Sequence, residues 1–240
     1  MIDNLRVIED TNNFTLTFVN KDGSTKSLKI TNHLTLMDYL SWENQYLPQN
    51  KQEIVNDSII YVDLTTNSFK NSIEFLSANS TKDVYLFLDI RGRPSGECYS
   101  FLSSLSTTEM VDSFMNIPVT NVDTTYFEKT FWKILPSHEN KINYKKIFVL
   151  INHKTLSYGE SIAYFLSKLP KSYLIGTRSS GCNGDVTTAT LNGRTFRFTG
   201  MKVDYGSNIK PTALYPNFKY QFLNKKLTIE EFLTVIDSSL

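Results

Sequence analysis

Cysteine, histidine and net charge are all scarce in this chain, and each scarcity bears on what it can do. The two cysteines, Cys98 and Cys182, are too few to define a redox compartment. With 25 basic and 24 acidic residues the net charge is +1, which gives no electrostatic case for binding nucleic acid or an anionic membrane. No apolar run approaches the ~18 residues that suggest a membrane-spanning helix. Residues Met1 to Arg6 show no charged region followed by an apolar core, so no signal peptide is legible. There is no internal repeat and no low-complexity tract. What is present is a 240-residue chain with 40% hydrophobic residues, enough for a sizeable core.

The chemistry-bearing stretch runs from Lys146 to Glu160. Ile147 to Ile151 is a short, β-branched apolar run, the mark of a buried strand. Asn152 to Thr155 interrupt it with polar turn residues. Ile162, Ala163, Phe165, Leu166 and Leu169 then recur at helical spacing until Pro170. Ser157 therefore stands where a buried strand hands over to a helix. First-turn N–H groups of a helix lack internal partners and carry partial positive charge, so a serine there sits beside donors for a developing oxyanion. Ser157-x-x-Glu160 is equally a capping box, and taken alone that is the commoner explanation. Thr155 stands where a G-x-S-x-G elbow has its first glycine, which argues against a nucleophile elbow of the α/β-hydrolase kind.

Around this stretch the pattern is that of a mixed α/β protein. Residues 13 to 30 read as a hairpin turning at Lys21-Asp22-Gly23, followed by a polar linker from Trp42 to Asp57. Ile59 to Leu64 and Val84 to Ile90 read as strands, the second covered on both faces. Phe69, Ile73 and Leu76 suggest a short helix, and Cys98 to Leu105 another. Asp89 and Arg91 read as an ion pair or as turn contacts at a strand end. Residues 107 to 145 carry little signal; Phe127, Phe131, Trp132 and Leu135 read as core or substrate-cleft lining, with the core favoured. Tyr173 to Gly176 is a further strand. Asp185 to Thr199 is a hairpin around Asn192-Gly193, a type I′ turn. Thr228-x-x-Glu231 opens a last helix expected to turn Phe232, Leu233 and Ile236 inward.

Four blocks, in order, resemble the S41 peptidases, the family of the C-terminal processing and tricorn-core proteases. Ser58-Ile-Ile-Tyr-Val-Asp-Leu64 resembles the strand "igYirl". Val84-Tyr-Leu-Phe-Leu-Asp-Ile-Arg-Gly-Arg-Pro94-Ser-Gly96 resembles "lilDlRxNPGG". Phe148 to Glu160 resembles "vLvNxxTaSAxE". Ile175 to Gly181, then Gly206 to Asn217, resemble the "vG.xT.G" loop and the terminal "G.GvxPD". The resemblance implies ClpP/crotonase-like layering over residues 51–240, a mixed sheet with flanking helices. It makes residues 1–50 a hairpin and linker similar to the end of a PDZ-like domain, as if most of an N-terminal half were missing.

The resemblance also implies a site. Ser157 falls on the nucleophile and Glu160 on the glutamate that orients the base or caps the helix. The N–H groups of Tyr158 and of the Ser95–Gly96 turn fall on the oxyanion hole, with Ser-Gly where the family prefers Gly-Gly. No metal or organic cofactor is implied, and the substrate is a peptide or protein. The base is the gap. Processing proteases of the family carry a lysine in the loop where this chain reads Ser179-Ser-Gly-Cys182-Asn-Gly184, so Cys182 stands in its place, 25 positions after the serine. The tricorn-like branch, which this loop and the 191–206 hairpin resemble more, uses an upstream histidine. His33, His138 and His153 read as surface residues, and nothing in the spacing places Lys154 or Lys210 beside the serine. The expectation is a serine peptidase whose base comes from outside the chain, with Cys182 a packing residue. The alternative is a peptide-binding relic without turnover. A crotonase-type acyl-CoA enzyme is disfavoured because its oxyanion-hole signatures are not seen.

Overall fold

The structure, a computed structural model, describes residues 13–19, 24–31, 52–120, 125–139, 141–184, 186–206, 208–221 and 227–238. The chain divides into two compact units, Met1–Leu47 and Pro48–Leu240. The first holds an antiparallel hairpin of β1 (Asn13–Val19) and β2 (Thr25–Thr31), in register from Asn13↔Thr31 to Val19↔Thr25. The Lys21-Asp22-Gly23 turn lies outside the described residues, as does His33.

The second unit runs β3 (Gln52–Asn56), β4 (Ile59–Asp63), α1 (Phe69–Asn79), β5 (Tyr85–Asp89), α2 (Tyr99–Leu105), β6 (Met110–Thr120), β7 (Thr125–Ile134), β8 (Lys146–Ile151), α3 (Tyr158–Ser167), β9 (Ser172–Gly176), β10 (Val186–Leu191), β11 (Arg194–Thr199), β12 (Lys202–Val203), β13 (Phe218–Lys219) and α4 (Ile229–Asp237). Its main sheet has the order β13-β9-β8-β5-β4-β3. All neighbours in it pair in parallel except β3, which runs antiparallel to β4 at one edge. Residues 52–56, expected within a polar linker, are therefore an edge strand.

The central strands are buried along almost their whole length, which is why they read as continuous apolar runs. Their side chains nevertheless alternate between two cores. Val62, Leu86, Leu88, Val149 and Ile151 pack with α1, α2 and α3 on one face, through Phe69, Leu76, Phe101, Leu102, Ile162 and Phe165. Tyr61, Phe87, Phe148 and Leu150 pack with α4 on the other, through Phe232, Val235 and Ile236. The ring of Phe87 meets that of Phe232 edge-on at 4.7 Å. The result is the mixed α/β sheet with flanking helices that the sequence pattern points to.

Two expectations about side-chain direction fail. Phe127, Phe131 and Leu135 are more than half exposed, and of the four residues expected in the core only Trp132 packs against it. Their strand belongs to the long β6–β7 hairpin, where successive side chains take opposite faces. Trp132 faces inward and stacks on Phe165 at 5.5 Å, so Phe131 faces out. Leu233 is also exposed, while Phe232, Val235 and Ile236 are buried. One residue along a helix turns the side chain by roughly 100°, off the 232/235/236 stripe. Phe232→Ala should accordingly lower unfolding free energy by about 3–5 kcal/mol, and Leu233→Ala by no more than about 0.5 kcal/mol, as read by urea denaturation. Similar losses at both positions would show that α4 is rotated.

Candidate active site

Strand β8 ends at Ile151, and the turn after it is built from its own polar side chains. Lys154 N–H donates to Asn152 Oδ1 at 2.8 Å, and Asn152 N–H donates to Thr155 Oγ1 at 3.0 Å. Thr155 Oγ1 in turn donates to the carbonyl of Ile90 at 2.6 Å, tying this turn to the end of β5. Thr155 is fully buried. The threonine that stands in place of an elbow glycine thus has a structural use that glycine lacks.

Ser157 follows with φ 52° and ψ −122°. A positive φ is uncommon for a residue other than glycine, and such strain costs of order 1–3 kcal/mol. The two ordinary serine and threonine caps of this chain show the contrast. Ser68 (φ −69°, ψ 147°) and Thr228 (φ −84°, ψ 164°) are extended, and each side chain accepts a first-turn N–H. Ser157 forms a capping box with Glu160, and the Glu160 N–H also goes to the Ser157 carbonyl at 2.9 Å. Its own N–H donates to Glu160 Oε2 at 3.2 Å. Both halves of the capping box are therefore present, yet the half-buried serine is held in a conformation that capping does not require.

Glu160 is completely buried and accepts from two segments. Besides the Ser157 N–H, its oxygens take Ser179 Oγ at 2.5 Å, Gly181 N–H at 2.7 Å and Cys182 N–H at 3.1 Å. Ser179 Oγ also accepts the Leu214 N–H at 2.8 Å. Burial pushes the Glu160 carboxyl up, while these hydrogen bonds pull it back down. A buried carboxylate is tolerated only when its lone pairs are filled, and here the filling is done by the loop where the family lysine is expected. That loop is closed further by Ser180 N–H on the Thr155 carbonyl at 2.9 Å. Cys182 is exposed rather than packed: its N–H is drawn in to Glu160 and its side chain is left outside.

The segment after β5 approaches from the other side. A methyl group on Gly159 would stand 2.8 Å from the Gly92 carbonyl oxygen and 3.1 Å from Pro94 Cδ, so α3 begins in direct contact with residues 92–94. Cys98 N–H donates to Tyr158 Oη at 3.1 Å, a second tie between the two segments. Ser95 and Gly96 are exposed on this segment, Gly96 with φ 87°. Arg91 anchors its root: the guanidinium meets Asp89 at 2.6 Å with both residues nearly fully buried, and Tyr61 Oη donates to the same carboxylate at 2.7 Å. The strand-end ion pair expected from sequence is therefore present. Beside it, Asp63 is buried and paired across the sheet with Asp89. Its Oδ1 takes the Thr65 N–H and hydroxyl, while its Oδ2 has no hydrogen-bond partner among the described residues.

The structure thus gathers Ser157, Tyr158 and Glu160 with the 92–98 segment and the 179–182 loop at one end of the parallel strands. His153 and His138 are exposed. His153 lines a separate cavity of about 140 Å³ with Arg91, Asn152 and Thr177. Larger clefts flank the loop, one of about 1160 Å³ lined by Tyr164, Arg178, Tyr205 and Leu214, and one of about 390 Å³ lined by Cys182, Val186, Met201 and Val203. Sequence reasoning missed Ser179, a lone buried serine in an irregular loop, which leaves no periodic signal. Among the described residues no group of three or more His, Cys, Asp or Glu side chains is placed to hold a metal ion.

Two outcomes follow from this geometry. Gly159→Ala places a methyl against the Gly92 carbonyl oxygen and the Pro94 ring, so it should separate α3 from residues 92–94. Circular dichroism should show the fold kept with a lowered Tm, and cleavage should be lost; an active variant of unchanged Tm would mean the contact is loose. For Asp63, burial and then the Asp89 charge push the carboxyl up, against hydrogen bonds from Thr65. A raised native pKa gives stability that is present below the unfolded value and lost as pH rises through the native one. Asp63→Asn removes that loss, so its Tm relative to wild type should increase as pH rises from about 4 toward neutrality. A constant difference across that range would show that Asp63 ionises without penalty.

A search of curated proteins finds no match to this sequence. Several solved structures share its fold at low identity. One, from Parabacteroides merdae ATCC 43184 and described as a peptidase, superposes with a TM-score of 0.60 at 16% identity, covering 84% of this chain and 68% of that one. Mature CPAF complexed with lactacystin gives 0.57 at 15%, covering 95% and 67%. The photosystem II D1 C-terminal processing protease gives 0.51 at 17%, covering 86% and 54%. This chain spans only part of each neighbour's length. No helix among the described residues is long and apolar enough to cross a membrane. The family model of peptidase family S41 matches residues 52–213, more than half of the chain, and the protein therefore belongs to that family of serine-type peptidases.

Proposed function

We propose that Ser157 is the nucleophile of this peptidase and forms an acyl-enzyme with an extended peptide. The observation that carries the reading is the backbone of Ser157, strained at positive φ where two neighbouring caps of the same chain are relaxed. Strain at a helix N-terminus has little use in a cap and a clear one in presenting a hydroxyl. In this reading the N–H of Tyr158 and those of the Ser95–Gly96 turn stabilise the oxyanion. Glu160 acts as a positioning residue: it fixes the Ser157 main chain and the 179–182 loop together and touches no substrate. Clefts lie on either side of that loop, and neither is lined by Ser157.

A peptide-binding relic would keep the clefts but has no need of the strain. A serine-directed fluorophosphonate separates the two readings. The purified chain should label at one site, Ser157→Ala should abolish both labelling and peptide cleavage, and Ser68→Ala should affect neither. Undiminished labelling of Ser157→Ala would remove Ser157 from the reaction.

A further inference from the structure

We propose that Lys210 supplies the general base for Ser157, an inference that rests on the peptidase reading above. The loop that carries cysteine in place of the expected lysine has not lost an amine in three dimensions. Lys210 Nζ donates to the Ser180 carbonyl at 3.2 Å. A methyl group on Gly181 would stand 2.7 Å from that Nζ and 2.8 Å from Cε, so the amine rests against the main chain of the residue before Cys182. Only a residue without a side chain permits that approach, and Gly181 also has φ 70°. A lysine from a segment 28 positions further along the chain than Cys182 thus delivers its amine to the loop where the family resemblance implies one.

Two straps connect this point to the serine. Ser180, whose carbonyl holds the amine, donates its N–H to Thr155, two residues before Ser157. Gly181 and Cys182 donate to the Glu160 carboxylate that also takes the Ser157 N–H. The loop and the serine are therefore indexed to one turn and one carboxylate, and Lys210 is half-buried over that loop. Its amine is a compact group on a flexible four-carbon stem, so it can be redirected from the Ser180 carbonyl. Catalytic hydrogen bonds are often unmade before substrate binds. The other candidates are placed worse. His153 opens into a different cavity and His138 is on the surface. The Cys182 sulfur accepts the Ser180 hydroxyl at 2.9 Å and is exposed.

The step balances with no further reagent. Neutral Nζ takes the Ser157 proton as Oγ bonds the scissile carbonyl carbon. The resulting ammonium gives that proton to the leaving nitrogen as the C–N bond breaks. Water then attacks the ester, Nζ takes its proton, and the ammonium returns a proton to Oγ as the acid leaves.

Fluorophosphonate labelling rates and peptide cleavage by the full chain test this. Lys210→Met should slow both by about 10²-fold or more. Lys210→Arg keeps the hydrogen-bond donors and the reach but stays protonated and takes up no proton, so it should fall as far. Adding Cys182→Lys to Lys210→Met should restore labelling, because it returns an amine to the loop position where the resemblance implies one. Should Lys210→Met fail to fold by circular dichroism, Lys210→Arg decides. Lys210→Arg with near wild-type rates would show Lys210 to be a cationic clamp on the loop and overturn the assignment alone. A wild-type chain that neither labels nor cleaves would overturn the peptidase reading together with it.

Discussion

The geometry of this site depends on one buried carboxylate. Glu160 is the point at which the start of α3, the strained serine and the irregular 179–182 loop are held in common. Left unpaired, a carboxylate taken out of water costs several kcal/mol, far more than a marginally stable domain can tolerate. The chain therefore has to fold the loop onto it. The reverse also holds: a loop with no strand or helix of its own acquires a fixed shape because three of its donors have one acceptor. An apolar residue at position 160 would be easier to bury but would leave those donors and the Ser157 N–H without partners.

A second constraint comes from the sheet. Parallel strands buried on both faces end together, and their ends present turns rather than side chains to the outside. Asp89 and Arg91 pair within one such end, and Thr155 hydrogen-bonds Ile90 across to it. Gly159 lets the helix start against Gly92 and Pro94. Rigid strands thus position the 92–98 segment on one side of the serine and the Glu160-bound loop on the other. The strain at Ser157 persists because the turn before it and the helix after it are each fixed independently.

Much of this was legible along the chain. The central strands announced themselves because burial on both faces demands apolar side chains at every position, and Ile147 to Ile151 could be nothing else. The helices showed their stripes, and Asn192-Gly193 marked a turn that requires positive φ twice. Ser157 and Glu160 stood out because the strand–turn–helix pattern is local. The hairpin from Met110 to Ile134 was not legible, because exposed Phe127 and Phe131 look no different from buried Trp132 in composition. The edge strand Gln52–Asn56 was read as linker because a half-exposed edge carries a weak apolar signal. Cys182 was expected to pack because a small apolar side chain in a loop gives no hint of its direction.

Sequence by itself determined the elements whose physics is periodic or nearest-neighbour: the two-faced strands, the capped helices, the serine at the handover and the acid three residues after it. It determined too that the loop after β9 has a cysteine where an amine was expected. The tertiary structure alone decided that Glu160 faces that loop rather than solvent, and that Thr155 binds Ile90 from 65 positions away. It alone decided that Lys210 lies over Gly181. These contacts join segments with no sequence relation to one another. Their distances are set by how the sheet and helices close around two cores, which no local pattern of residues encodes.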